Sequence, residues 1–304
     1  MAVLERNFLV ILGPTAGGKS DVALEFARRT GADLLSVDSM QVYRHMNIGT
    51  AKPTSQEQAE VRHHLIDVVD PSEEFTVAKF VGQADDVIRR AAQQRKPLVA
   101  TGGTPLYYKA LFDGLFEGPG ADEALRQRLR QQPNTDLHRR LAEVDPPAAS
   151  RIHVNDQKRL IRALEVFELT GKPISSFQTD WDGASPRRHD AVWIGLHWET
   201  DAINRRINAR VKLMIEAGWV DEVRRLLDTH GPLSQTAAGA TGYAELIAHI
   251  KGQMSLSDAI EQIKISTRQL ARRQMKWFRR FPNVNWIPGD APLDNKLELI
   301  SKTE

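Results

Sequence analysis

The chain has 304 residues, 41% hydrophobic and 26% charged, the balance of an ordinary globular protein with ample material for a core. It has no cysteine, which excludes disulfides, Cys-based zinc sites and thiol nucleophiles. Net charge is only +2 and says nothing by itself about nucleic acid, while the apolar run Phe8 to Leu12 is too short for a signal core or a membrane span.

The first third alternates short apolar runs with helical periodicity, as βαβ units and a parallel sheet do. Phe8 to Leu12 reads as a buried strand, followed by a glycine-rich turn and a helix from about Lys19 to Arg29. Leu34 to Val37 reads as a second strand ending on Asp38, and Leu65 to Val69 as a third. With Thr76 as N-cap, a helix is expected to about Gln94, burying Phe80, Val81, Ala84 and Val87. Pro97 to Ala100 is the fourth strand and breaks at Gly102-Gly103-Thr104. Gly114 to Gly120 is a linker. From Asp122 to Gly171 leucines recur at helical spacing, and Gly183 to His189 is a polar loop. Ala191 to Trp198 should rejoin the sheet, followed by helices at about 201–217 and 257–280 and a candidate edge strand at Asn283 to Ile287. The expectation is an α/β fold: a P-loop NTPase-like parallel-sheet core (1–118 and 190–304) with a mostly helical inserted domain (119–189).

Gly13-Pro14-Thr15-Ala16-Gly17-Gly18-Lys19-Ser20 is a P-loop between a strand and a helix. Its glycines let successive N–H groups face an anion, Lys19 reaches the outer phosphate, and the Ser20 hydroxyl suits Mg²⁺. Asp38 lies on the ligand edge of the sheet, next to the P-loop strand if strand order is the usual one. It is a proton acceptor, a water-mediated Mg²⁺ ligand or simply a helix N-cap. Thr104 is a ligand contact or a cap of the next helix. Between Lys251 and Phe281, eight Lys/Arg face only Asp258 and Glu261. Five of them (Lys264, Arg268, Arg272, Lys276, Arg280) fall at steps of four, a spiral stripe drifting about 40° per step and suited to phosphate backbone. His63-His64 has no partner at metal-ligand spacing and reads as structural, and the scattered tryptophans as core. A Walker B-like run, Leu65-Ile66-Asp67 to Asp70, keeps a small-molecule kinase open beside a diphosphate-releasing transferase that docks RNA. A nucleotide-switch module is weaker, for want of any switch signature.

Several strings together resemble the tRNA dimethylallyltransferase (tRNA isopentenyltransferase) family in its bacterial form, over about Leu9 to Trp286. They are Gly13-Pro-Thr-Ala16, Asp38-Ser-Met-Gln-Val-Tyr43, Asn47-Ile-Gly-Thr-Ala-Lys-Pro53, His63-His-Leu-Ile-Asp67, Gly102-Gly-Thr104, Arg159-Leu-Ile-Arg-Ala-Leu-Glu165, Arg206-Ile-Asn-Ala-Arg210, Gly242-Tyr243 and Thr267 to Phe278. The resemblance implies transfer of a dimethylallyl group from dimethylallyl diphosphate to N6 of the adenosine 3′-adjacent to the tRNA anticodon, with Mg²⁺. It implies that the P-loop holds diphosphate rather than ATP, with Arg210 joining Lys19 there. It makes Asp38 the acceptor of the N6 proton. It assigns tRNA contact to Asp38, Ser39, Met40, Gln41, Thr104, Arg126, Lys158, Arg159, Leu160, Ile161 and Arg162. A cytoplasmic monomer that binds the anticodon stem-loop and no membrane is expected. Departures from the family pattern fall at Thr241 and Ala244.

Overall fold

The computed structural model describes residues 7–115, 118–177 and 187–303 and divides into two compact units, Met1–Leu111 with His189–Glu304, and Phe112–Arg188. The polar loop expected from 183 overlaps positions outside the described residues. No helix among the described residues is long and apolar enough to cross a membrane.

The larger unit is built on a six-stranded, all-parallel sheet of β1 (Phe8–Leu12), β2 (Asp33–Ser36), β3 (His63–His64), β4 (Leu98–Thr101), β5 (Val192–His197) and β6 (Val284–Pro288), in the order β3-β2-β4-β1-β5-β6. β1 is buried along its whole length, which is why it reads as a continuous apolar run rather than an alternating one. The helices are α1 (Lys19–Thr30), α2 (Ser55–Glu60), α3 (Val77–Gln93) and α4 (Pro105–Asp113), then α5 (Glu123–Arg130), α6 (Asn134–Val144), α7 (Pro146–Ala149) and α8 (Gln157–Thr170). After β5 come α9 (Thr200–Glu216), α10 (Trp219–His230), α11 (Gln235–Ala238), α12 (Tyr243–Ile250), α13 (Leu256–Phe278) and α14 (Leu293–Ser301). Thr76 does cap α3, its side chain accepting from the Lys79 amide.

Two expectations are corrected. First, β2 does not neighbour β1: the later strand β4 lies between them, with Leu34 and Val10 on either side of Val99 and Ala100. The chain runs out to the sheet edge and returns, so the loops after β2 and β4 become direct neighbours on the ligand edge. Second, there is no strand over Leu65–Val69. Leu65 and Asp67 sit at φ 62 and φ 55, left-handed conformations that cannot continue a ladder. The segment instead pairs with the loop before it, the Asp67 amide donating to the Gln41 carbonyl and the Val68 amide to the Val42 carbonyl.

The smaller unit packs α5 to α8 around Leu125, Leu129, Leu137, Leu141, Leu160, Ile161 and Leu164. Its polar centre is the fully buried Glu165, which accepts from Arg126 at 2.8 and 3.0 Å, from Arg162 at 2.6 Å and from the Asp122 amide at 2.8 Å. Burial pushes this carboxyl up, but the two guanidiniums outweigh that and leave it below its ordinary range. Glu165→Ala would take from both guanidiniums the carboxylate they share, and the expected cost is about 3 kcal/mol of stability, read from chemical denaturation.

Candidate active site

Three loops on the ligand edge of the sheet, after β1, β2 and β4, open into one cavity of about 670 Å³. It is lined by Thr15 through Ser20 of the P-loop, by Asp38 to Gln41, by Gly102 to Thr104 and by Arg210. Gly13 and Pro14 lie beneath: a Cβ on Gly13 would come 3.2 Å from Leu196, and the Pro14 carbonyl accepts from the Gly17 amide and from Lys19 Nζ.

The P-loop is held by side chains from distant parts of the chain. Arg206 donates to the Ala16 carbonyl at 2.9 Å and lies 4.8 Å from the Trp198 ring centre, while the Trp198 indole donates to the Gly17 carbonyl at 3.0 Å. With these carbonyls tied up, the loop amides other than those of Thr15 and Gly17 are left for an anion. Arg210 bonds the Thr15 hydroxyl, and the Gln274 side chain accepts from the Thr15 amide at 2.8 Å.

Burial pulls the Lys19 ammonium down to about 8; the neighbouring Arg210 pulls the same way, while Asp38 and Asp21 oppose. Burial likewise brings Arg210 down to about 10, with Asp38 opposing and Arg206 adding to it. Two desolvated cations side by side want a multivalent anion. Because Lys19 is charged only below its lowered value, kcat/KM for a diphosphate donor is expected to fall above pH about 8, by up to about tenfold per unit. A pH profile taken with saturating acceptor checks this.

Asp38 is not a helix cap. Its Oδ1 accepts from the Met40 amide at 2.9 Å, forming a tight local turn, and its Oδ2 faces Gly103. The Thr104 hydroxyl accepts from the Ser39 amide at 2.9 Å and donates to the Ser39 hydroxyl at 3.1 Å. The β2–β4 adjacency makes this contact between loops possible. Gly102 is required here, since a Cβ would lie 2.1 Å from the Val37 carbonyl oxygen.

The remaining residues singled out in the sequence fall into different settings. The Gln41 amide is engaged within the protein, accepting from Ser36 at 2.8 Å and donating to the carbonyls of Thr50 and Ala51. In the helical unit, Lys158 and Arg159 are exposed, whereas Leu160 and Ile161 are buried in the unit's core and Arg126 and Arg162 bond Glu165. Arg272, Lys276 and Arg280 of the basic stripe are exposed, as are Arg273 and Arg279. Lys264 pairs with Glu261 and Arg268 bonds Asn208. The Walker B-like carboxylates are committed elsewhere: Asp67 to Lys52 at 2.6 Å and Asp70 to His230 at 2.9 Å. His64 bonds Asp33 at 3.0 Å, and burial holds His63 below its ordinary value against the Val61 carbonyl it contacts. Trp193 and Trp219 are core residues.

Sequence reasoning missed the support of the cavity wall at 47–53. Buried Glu222 accepts from the amides of Asn47 and Ile48 at 3.0 and 2.8 Å and from the Tyr243 hydroxyl at 2.6 Å. The indole of Trp219 fills the space where a Cβ on Gly49 or Gly242 would stand. This assigns the Gly242-Tyr243 pair a supporting role; beside it Thr241 lines the cavity and Ala244 is exposed. Lys52, almost wholly buried, donates to the Tyr43 carbonyl, Asn47 and Asp67. Trp198 and Glu222 sit among ordinary strand or helical residues, and Gln274 and Arg206 lie in family strings that assign them no role; only the fold brings the four to the loops they hold.

A Mg²⁺ ion is compatible with this donor set. Among the described residues no three His, Asp or Glu side chains cluster to cage a metal. Mg²⁺ that takes its remaining oxygens from phosphates and water needs no cage, and the exposed Ser20 hydroxyl at the cavity offers a hard oxygen ligand.

Comparison with known proteins agrees with the geometry. A family model described as IPP transferase matches residues 41–281, and one described as isopentenyl transferase matches 6–74. A tRNA dimethylallyltransferase of Geobacter metallireducens is 44% identical over 97% of this chain and 97% of its own. The crystal structure of a tRNA isopentenylpyrophosphate transferase from Bacillus halodurans superposes with TM-score 0.72 at 38% identity, covering 97% of this chain and 94% of that one. A eukaryotic dimethylallyltransferase acting on tRNA gives TM-score 0.82 at 25% identity, over 97% of this chain and 78% of that one. The chain belongs to the tRNA dimethylallyltransferase (IPP transferase) family.

Proposed function

We propose that the protein transfers a dimethylallyl group from dimethylallyl diphosphate to N6 of the adenosine 3′-adjacent to the anticodon of tRNA, releasing diphosphate, as a cytoplasmic monomer. The observation that carries this reading is the meeting of the P-loop, its Lys19 and the Arg210 of α9 with Asp38 and Thr104 in one cavity. The Walker B-like run that kept a kinase reading open is engaged elsewhere, with Asp67 tied to Lys52 and Asp70 to His230.

Breaking the allylic C–O bond leaves positive charge on carbon and one further unit of negative charge to stabilise on the diphosphate oxygen. Donors already aimed at that oxygen are the strongest catalytic lever available. Here they are the P-loop amides, Lys19 and Arg210. Mg²⁺ on Ser20 would neutralise part of the departing charge. As N6 bonds to carbon it becomes cationic and sheds a proton, for which Asp38 is the acceptor; Thr104 holds the Asp38–Ser39 turn and stands beside the acceptor nitrogen. The adenine must leave its stack to reach this chemistry. The exposed Arg272, Arg273, Lys276, Arg279 and Arg280 supply charge for RNA phosphates, as do Lys158 and Arg159 on the helical unit. Incubation with unmodified tRNA, Mg²⁺ and dimethylallyl diphosphate, then nucleoside mass spectrometry, is expected to give N6-prenylated adenosine. Unchanged adenosine would refute the reading.

A further inference from the structure

Gln274 lies between basic neighbours in the Thr267 to Phe278 string, yet it is 3% exposed and lines the cavity. It lies on the inner face of α13 with Thr267, Ala271 and Phe278, spaced so that one side of the helix enters the core. Its amide makes two bonds with opposite sense. Oε1 accepts from the Thr15 amide of the P-loop at 2.8 Å, and Nε2 donates to the Gly103 carbonyl at 2.7 Å. The first loop is the donor end of the site and the second the acceptor end. Gly103 is itself wedged: a Cβ there would come 2.7 Å from Gln274 Nε2 and 3.2 Å from Asp38 Oδ2.

We propose that Gln274 is a positioning residue that sets the distance between the diphosphate cradle and the Asp38–Thr104 acceptor site, its one amide bridging the P-loop and the Gly102-Gly103 turn. This rests on the transferase reading above. The bridge needs an acceptor at one end and a donor at the other, which an uncharged amide of this length offers. A cation or carboxylate would add a buried ion beside Lys19, Arg210 and Asp38. Asparagine is one methylene short. Thr15 is thereby gripped twice, by Gln274 at its amide and by Arg210 at its hydroxyl. Since α13 packs against α9, the helix bearing Arg210, the cradle and its cation share one support.

Group transfer between two bound partners is sensitive to their spacing, and a misplacement of about 1 Å costs about a hundredfold in rate. Gln274→Met keeps the length of the side chain and removes both bonds; Gln274→Glu keeps the acceptor for Thr15 and removes the donor to Gly103. Single-turnover prenyl transfer at saturating donor and tRNA is expected to fall about 30- to 100-fold in both. Affinities of Gln274→Met for inorganic diphosphate and for tRNA, each measured alone, are expected within about threefold of wild type, since each half-site stays whole. A single-turnover rate within threefold of wild type in both variants would overturn the proposal. So would a loss of diphosphate or tRNA affinity in Gln274→Met that matches the loss of rate, because the residue would then be part of one half-site and not the link between two. A wild-type protein that forms no prenylated adenosine overturns the underlying reading as well, whereas an active wild type with unaffected variants overturns this proposal alone.

Discussion

Asp38→Ala is expected to bind tRNA nearly as wild type does and to transfer the prenyl group about 10³-fold more slowly, within the range that loss of a positioned base produces. The argument is geometric. Oδ1 is held by the Met40 amide, so the carboxylate keeps one orientation, and Oδ2 is directed to the Gly103 side of the cavity. The turn it forms is pinned separately by Thr104 to Ser39. Removing the carboxylate therefore removes a proton acceptor without dismantling the loop that meets the base. Single-turnover rates together with a tRNA binding isotherm separate the two effects. A variant with near-normal turnover would remove Asp38 from the mechanism.

Lys19→Ala is expected to lose about 10²- to 10³-fold in the rate of transfer and to weaken donor binding as well, since the ammonium meets both the bound and the departing diphosphate. Its loss leaves Arg210 as the neighbouring cation in a cradle whose carbonyls are already turned away by Arg206 and Trp198. The same substitution should remove the decline in kcat/KM above pH about 8, because the group that titrates there is gone. A variant that keeps that decline would reassign it to another group. RNA affinity is expected to change little, as Lys19 sits at the donor end.

What was legible in the sequence follows from how local each signal is. The P-loop, the strand before it and the helix after it are consecutive, so periodicity and glycine spacing reveal them. β4 and β5 are visible for the same reason, as short apolar runs ended by turn residues. β3 was misplaced because the apolar residues after His63-His64 look like a strand, while the left-handed backbone at Leu65 and Asp67 has no sequence marker as clear as glycine. Strand order could not be read either. Nothing local tells β4 to insert between β1 and β2, yet that insertion brings Thr104 to Ser39.

The candidate site divides in the same way. Lys19, Asp38 and Arg210 announced themselves through a motif or a family string, and all three line one cavity. Glu222 did not, and Gln274 lies within the Thr267 to Phe278 string with no role assigned to it, since a glutamine among arginines and a glutamate in an amphipathic helix both look like surface. Each acts on backbone groups far away in the chain: Gln274 on Thr15 and Gly103, Glu222 on Asn47 and Ile48. Side chains that hold backbone leave no pattern in their own neighbourhood. Conversely, the string around Leu160 and Ile161 is recognisable largely because it builds the core of the helical unit.

The central claim is that the P-loop holds a diphosphate that departs from carbon, and does not hold ATP for phosphoryl transfer. The direct measurement is stoichiometry: tRNA, dimethylallyl diphosphate, Mg²⁺ and ATP are incubated together, and diphosphate, N6-prenylated adenosine and remaining ATP are quantified over time. One diphosphate released per prenylated adenosine, with ATP unchanged, is the predicted result. ATP consumed in step with a phosphorylated product, or diphosphate released without alkylated adenosine, would contradict it.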